Sequence, residues 1–568
     1  MKISDFQGTL PKLPKKKLPP NVAVSAVNCD VSTGQLKPFK DVGQIQDIDK
    51  AGDIRSIYKC GNTWLGWPGV VDVVKAEGVN TDDRIMFTGD GYPKLTNATQ
   101  AISGGVPAQY PSIADRNGVA APAAALTVTT DEINVGAGYG SAYATASYCY
   151  TYVSVIDSDY QQESAPSPPT PPVDVLENMK VTLSNFVNPA GTGNNILYYR
   201  VYRAVTGTSD ETVFQLVPTG RDGNGQYTYD IPVAQATFVD LDTQADPQKI
   251  YQNLSEAIQT EGWDILPDDA KGLCQYQNGI LAAISGQQVL LSEIFIPYAF
   301  PQGINDADIK YSYDFAFKPV SIASFRGMLI VGTTANPFVM TGSEPGFMSK
   351  VDLPYNQACV GDMCVTEIGV FYPGKNGLVI CDGIEAKPVS TDTWTKKQWK
   401  ALGPENLKMF YHDDKLIGFF KGTANGFVYD FKKTNTVVPI SLGTKLFYNG
   451  VIIEEEGELY ILLKDGATYY IYEWEGSVSD MSFSWEGYQH GRDRALYSLV
   501  RIDGEFGGNS IILKLNVDGD DLPDIEIDSD EPEYLPSGYR VETLKYKVTG
   551  AVEIDAVYLG HIEEDLYG

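Results

Sequence analysis

Five stretches of this chain repeat one layout, an apolar strand, a tight turn and a second apolar strand, and this repetition limits the fold more than any other feature. They are residues 273–285 (LCQYQNGILAAIS), 320–334 (VSIASFRGMLIVGTT), 364–374 (CVTEIGVFYPG), 409–421 (MFYHDDKLIGFFK) and 451–464 (VIIEEEGELYILLK). Their turns recur about every 45 residues, the period of β-propeller blades rather than of helical repeats. A lone blade leaves both faces of its sheet exposed, and stacking blades radially covers them. Gly279, Gly327 and Gly457 stand where the hairpin turns need positive φ. An earlier strand–turn–strand at 53–74, turning at Gly61-Asn62, adds a further unit, so the repeat predicts a ring of about six blades.

Composition agrees with an all-β chain. Tyr occurs 35 times, Gly 55 times and Pro 33 times; aromatics favour strands, while Gly and Pro punctuate turns. Helical periodicity is confined to short stretches such as 395–402. At 568 residues, 43% hydrophobic and 20% charged, the chain is long and apolar enough for several packed units.

Residues 120–245 differ in texture from the blades. An Ala-rich linker leads into YCYTYVSV (148–155), a proline-dense stretch, and strands at 180–183, 196–204, 214–217, 226–231 and 236–242. About seven short strands at this spacing predict a β-sandwich of immunoglobulin or fibronectin type III kind, inserted into the propeller sequence. The domain reading is therefore an extended N-terminal arm (1–22), N-terminal propeller strands (23–119), the inserted sandwich (120–245), the main blades (246–484) and a C-terminal β region (485–568). The last of these either closes the ring or stands as a small separate domain. In the arm, four prolines and the adjacent Lys15, Lys16 and Lys17 predict a segment extended and mobile by itself, either a disordered tail or an arm that orders only against a neighbouring subunit, where the lysines would meet an acidic partner.

The formal net charge is −30, the opposite of what a phosphate-gripping protein concentrates. Solubility accounts for such a charge, and carboxylates lining a channel would let a polyanion pass without sticking. The seven cysteines (29, 60, 149, 274, 359, 364 and 381) are odd in number and scattered, which predicts free, mostly buried thiols in a reducing compartment. With only His412, His490 and His561, a zinc site is not expected. Asp518, Asp520, Asp521 and Asp524 form an acidic loop, but Gly519 comes too early and no Glu closes an EF-hand, so a solvated turn is favoured over Ca²⁺. No nucleophile elbow, zinc-binding helix or phosphate loop occurs, Arg is sparse, and neither catalysis nor a cofactor is expected. No run is long enough to span a bilayer as a helix.

One ordered succession of short motifs adds to this. It comprises Ser292-Glu293 with Pro297-Tyr298-Ala299 and Pro301, then Thr341-Gly342 with Glu344-Pro345 and Met348-Ser349, then Gln357-Ala358-Cys359-Val360, Gly377-Leu378-Val379, and Trp399 with Leu402 and Pro404. In this order, within residues 272–405, it resembles the tail nozzle (tail tubular) proteins of short-tailed bacteriophages. NCDVSTGQLKPFKD and DDRIMFTGDGYPKLT resemble that family's opening strands more weakly, and the sandwich and acidic loop lie outside the resemblance. The resemblance implies a propeller-based subunit of a sixfold ring in the virion tail, made in the host cytoplasm. It would sit below adaptor and portal proteins, contact tail fibres, and conduct genomic DNA without binding it specifically. Gly342, Pro345, Gln357, Ala358, Cys359, Gly377 and Leu378 are expected to determine the fold rather than to react. A receptor- or glycan-binding propeller is the competing expectation.

Overall fold

The computed structural model describes residues 1–48, 52–75, 83–103, 111–157, 160–189, 191–206, 213–240, 256–303, 310–354 and 356–567. The chain is a β-propeller carrying an inserted β-sandwich and a separate C-terminal β domain. Among the described residues, six sheets contain four antiparallel strands in blade order, one of them extended to six strands by N-terminal residues. Blade 1 runs over 72–116, blade 2 over 271–314, blade 3 over 319–352, blade 4 over 364–388 and blade 5 over 407–441. Blade 6 takes three strands from 446–473. All five repeated hairpins are the first two strands of blades 2–6, and Gly279, Gly327 and Gly457 take φ of 65°, 74° and 76° at their turns.

The ring closes with a strand from the other end of the chain. Gly43–Asp47 pairs antiparallel with Thr468–Glu473 and completes blade 6. The hairpin Ser56–Cys60 and Thr63–Trp67 stays two-stranded and wedges between blades 6 and 1. Ile57 and Trp64 pack with Leu462 and Ile471 of blade 6, while Leu65 and Trp67 pack with Ile85 and Phe87 of blade 1. Among the described residues seven units thus circle the axis, one of them half a blade.

Ring closure by Gly43–Asp47 leaves the C-terminal region free to build its own domain, the second of the two arrangements expected for it. Eight strands join there, dominated by Phe483–Glu505 and Glu533–Gly550, and two come from the N-terminus, Lys2–Ile3 and Ser25–Val27. Segment 22–38 therefore serves this domain and the edge of blade 5 rather than supplying propeller strands. The N-terminal arm is also tied to its own chain and is not mobile by itself. Ile3 and Phe6 are buried in the C-terminal core, Phe6 packs edge-on to Trp485 at 5.1 Å, and Trp485 donates to the Gln7 carbonyl at 3.0 Å. Gln7–Thr9 then adds to the outer edge of blade 5. Buried Ile3 and Phe6, together with strand pairing at Lys2–Ile3 and Gln7–Thr9, anchor a segment rich in proline and lysine.

The sandwich lies between blades 1 and 2 in sequence, with its strands falling within Thr127–Val239; the expected boundary at 245/246 lies outside the described residues. Its core holds Tyr148, Tyr150, Tyr199, Val181, Leu183 and Phe238. Polar and apolar residues alternate through 148–155, the pattern of a half-buried strand, yet Tyr148–Ser154 is buried on both faces. The proline-dense stretch runs beside this strand and pairs with it through every third residue. Ser164, Ser167 and Thr170 donate their amides to the carbonyls of Tyr152, Tyr150 and Tyr148, and their hydroxyls accept the amides of the same three tyrosines. Proline has no N–H to donate, so hydroxyl residues at the three-residue polyproline period do the pairing. The sandwich is docked, not tethered. Buried Gln162 bonds Asn117 and the Gly118 amide, and Asn117 donates to the Pro297 carbonyl of blade 2.

Candidate functional site: the two ends of the propeller axis

The innermost strands line the axis, and cavities open at both of their ends. The first, about 520 Å³, is lined where the inner strands of blades 1, 2 and 3 begin, with Asp72, Asp268, Asp269, Lys271, Ser321 and Asp362 contributing polar groups. The second, about 820 Å³, lies where Ser56–Cys60, Asp72–Lys75, Lys271–Gln275 and Leu446–Ile453 end. Strand Asp72–Lys75 spans from one cavity to the other.

At the smaller cavity the charges are coupled. The Asp72 carboxylate accepts the Gly272 amide at 2.7 Å. Burial pushes its carboxyl above the ordinary range, against that hydrogen bond and the field of Lys408. Asp362 behaves oppositely. Burial alone would raise it, but Lys421 at 3.1 Å and Lys408 at 3.6 Å outweigh burial and hold it below the ordinary range. The two carboxylates therefore have opposite linkage to folding. Asp72, raised in the folded state, favours folding below the unfolded carboxylate value of about 3.9, and that contribution is lost as pH rises through its folded value. Asp362, depressed, contributes above about 3.9 and loses its contribution as pH falls through its folded value. Asp72→Asn is expected to raise the urea midpoint at pH 7 and to leave it unchanged under strongly acidic conditions. Asp362→Asn is expected to lower the midpoint at pH 7, stranding two lysines. Paired urea melts across pH check both, and the same sign for the two variants would refute the assignment.

The larger cavity is rimmed by ion pairs. Lys59 meets Glu456, and Lys75 bridges Glu455 at 2.7 Å and Asp83 at 3.2 Å. Tyr460 donates to Glu456 at 2.7 Å. Cys60 lies in the wall, but burial pushes its thiol up to about 12 and it donates to the Asp83 carbonyl, so it is a packed thiol rather than a nucleophile. The arrangement can hold a polar molecule by hydrogen bonds. Among the described residues, no group of three or more His, Cys, Asp or Glu is placed to hold a metal ion.

The residues singled out in the sequence fall elsewhere. Gly342 and Pro345 sit at the seam of blades 2 and 3: Tyr276 donates to the Gly342 carbonyl at 2.8 Å, and Tyr313 to that of Pro345 at 2.7 Å. Gln357, Ala358 and Cys359 sit at the seam of blades 3 and 4. Tyr372 donates to the Gln357 carbonyl, and Cys359 packs with Ala323, Val370 and Val379. Gly377 faces Gly374 across the blade 4 hairpin, and the Leu378 amide donates to Ser390. Trp399 reaches the Gly374 carbonyl from a short helix, Lys396–Ala401, whose capping box is Thr395 and Gln398.

The four aspartates of the C-terminal loop do not converge. Asp518 accepts the amides of Glu542 and Thr543, Asp521 accepts from Asn516, and Asp524 pairs with Lys514. Lys15, Lys16 and Lys17 form one exposed 3₁₀ turn, with Lys15 over the Tyr488 ring. What sequence reasoning missed is the axial set Asp72, Lys271, Asp362, Lys408 and Lys421. Its only local signal is an aspartate at or just before an inner strand in two blades.

No family model matches this sequence, and no curated protein does. Among solved structures, the chain is similar to the Neurospora crassa Pan2 WD40 domain (6% identity, 53% of this chain and 87% of that one, TM-score 0.26). It is also similar to BamB from Moraxella catarrhalis (7% identity, 62% of this chain and 99% of that one, TM-score 0.25). The propeller stands on its own blades.

Proposed function

We propose that this chain is a structural subunit of the tail nozzle of a short-tailed bacteriophage, assembling with copies of itself into a ring below the adaptor and retaining, then releasing, the genome. The observation that supports this reading is the ordered motif run from Ser292 to Pro404. Its residues sit within and between blades 2, 3 and 4, so what the chain shares with that family is architecture rather than a reactive centre. The conduit in this reading is the axis of the assembled ring, not the narrow axis of one propeller. A net charge of −30 per copy would keep transiting DNA from adhering to its wall.

The test is electron microscopy of the purified full-length chain together with mass measurement. The expected result is a closed ring with an axial opening wide enough for duplex DNA. A chain that stays monomeric at every concentration overturns the proposal. The polar 820 Å³ cavity favours one alternative, a glycan- or receptor-binding propeller. Glycan binding by a monomer, lost when Lys59 and Lys75 are replaced, would establish that alternative.

A further inference from the structure

A basic ridge stands out on this strongly acidic chain. Pro11 accepts from Gln398, and the Lys12 amide donates to the Thr393 carbonyl, so the arm lies directly against the helix Lys396–Ala401. Lys12 is thereby brought to the helix that carries Lys396, Lys397 and Lys400, and the arm continues into Lys15, Lys16 and Lys17, with Lys15 over the Tyr488 ring; all seven lysines are exposed. Among the described residues only Lys12 has a carboxylate partner, Asp392 at 3.4 Å. Leu13 and Leu402, 37% and 38% exposed, add apolar surface to the same ridge. Seven lysines with two exposed leucines are an unspent surface. The arm is tied down on either side of the ridge, by buried Thr9 before it and buried Val22 after it.

The complement exists on the same chain. Segment 518–533 carries nine carboxylates and no lysine or arginine. Asp518, Asp521 and Asp524 are used locally, but Asp528, Asp530, Glu531 and Glu533 are exposed and make no ion pair among the described residues. Next to them Tyr534 is 77% exposed. A cationic surface with leucines thus has an anionic counterpart with a tyrosine, the pairing of charge and apolar contact that protein interfaces use. No ion pair joins the two within one copy among the described residues.

We infer that the lysine ridge docks onto the acidic segment 528–534 of a second copy of this chain. Two different patches meet in such a contact, so it is heterologous, and it closes into a ring when the rotation permits. The inference rests on the proposed ring and names the contact that would build it. At physiological salt the Debye length is about 8 Å, so contact pairs decide the docking and the net repulsion between acidic copies is largely screened. Nucleic acid is the other polyanion a lysine ridge could take. The acidic segment and Tyr534 on the same chain favour protein.

The experiment uses the full-length chain and charge reversal on each side. Lys15→Glu/Lys16→Glu/Lys17→Glu should weaken self-association at least tenfold by mass photometry, and Lys396→Glu/Lys397→Glu/Lys400→Glu should weaken it independently. Asp528→Lys/Asp530→Lys/Glu531→Lys should do the same alone, and should restore assembly when combined with the arm reversal. Thermal melts matching the parent confirm that these surface variants fold. Rings that persist through both lysine reversals, or no recovery in the combined variant, overturn the inference while leaving the ring reading intact. A parent chain that never associates overturns both. Binding of a short DNA duplex that depends on the lysines, with assembly unchanged by their reversal, overturns it in favour of a nucleic-acid surface.

Discussion

Asp240→Ala is expected to cost about 3–5 kcal/mol, among the largest losses a single substitution can cause in this protein. Asp240 and Arg203 form an ion pair at 2.7 Å inside the sandwich, with side chains 0% and 1% exposed. Tyr148 also donates to Asp240, at 2.9 Å. Removing the carboxylate takes a counter-charge from a guanidinium buried in the core and an acceptor from a buried phenol. Asp240→Asn keeps an acceptor for Tyr148 but not the charge, and is expected to fall between the parent and the alanine variant. The double change Arg203→Met/Asp240→Leu removes both charges and should recover most of the loss, since a well-packed apolar pair often equals a buried ion pair. Urea titration measures all three. A midpoint for Asp240→Ala within error of the parent would show that the pair is solvated.

That pair was not visible in the sequence, and the reason is general to this fold. The hairpin 409–421 is legible because both its strands are largely buried and its turn carries Asp413 and Asp414 at positive φ. Outer strands carry no such mark. Ser349–Asp352, the last strand of blade 3, is exposed at all four positions, and Ala386–Pro388 is three residues long. The strand that closes the ring, Gly43–Asp47, has four exposed residues, and its partner lies near the far end of the chain. Period and polarity describe neighbours along the chain. They do not describe which distant strand completes a sheet, or which carboxylate meets which lysine across an axis. For the same reason Asp72 and Asp362 stand out only once the ring brings their strands together; six of the seven cysteines are buried, and Gly342 and Gly377 lie at a blade seam and a hairpin turn. The sandwich was found from its strands, but its proline-dense stretch gave no hint that Ser164, Ser167 and Thr170 would serve as an edge.

Ring closure makes the second large prediction. Phe39 precedes the closing strand and is 1% exposed, packed in one cluster with Phe419, Phe447 and Trp474. Its ring lies 5.8 Å from that of Trp474, which in turn lies 5.5 Å from Phe419. The backbone beside it is latched as well: Met481 donates to the Phe39 carbonyl at 2.8 Å, and Asp41 to that of Ser479 at 2.8 Å. Phe39→Ala is expected to cost about 3–5 kcal/mol, from lost burial and from the cavity left in a cluster that cannot readily collapse. It should also loosen the closing strand itself, because the exposed side chains of Gly43–Asp47 contribute little burial to hold it. Amide exchange is therefore expected to accelerate in 43–47 and 468–473, with blades 2 and 3 keeping their protection. Uniform acceleration across all blades would show instead that the ring opens only by global unfolding. The Asp240→Ala change lies in a different core and shares no neighbour with Phe39, so the two losses should add within about 0.5 kcal/mol if sandwich and propeller unfold together. Two separate transitions in the double variant would mean that the inserted sandwich folds as a unit of its own.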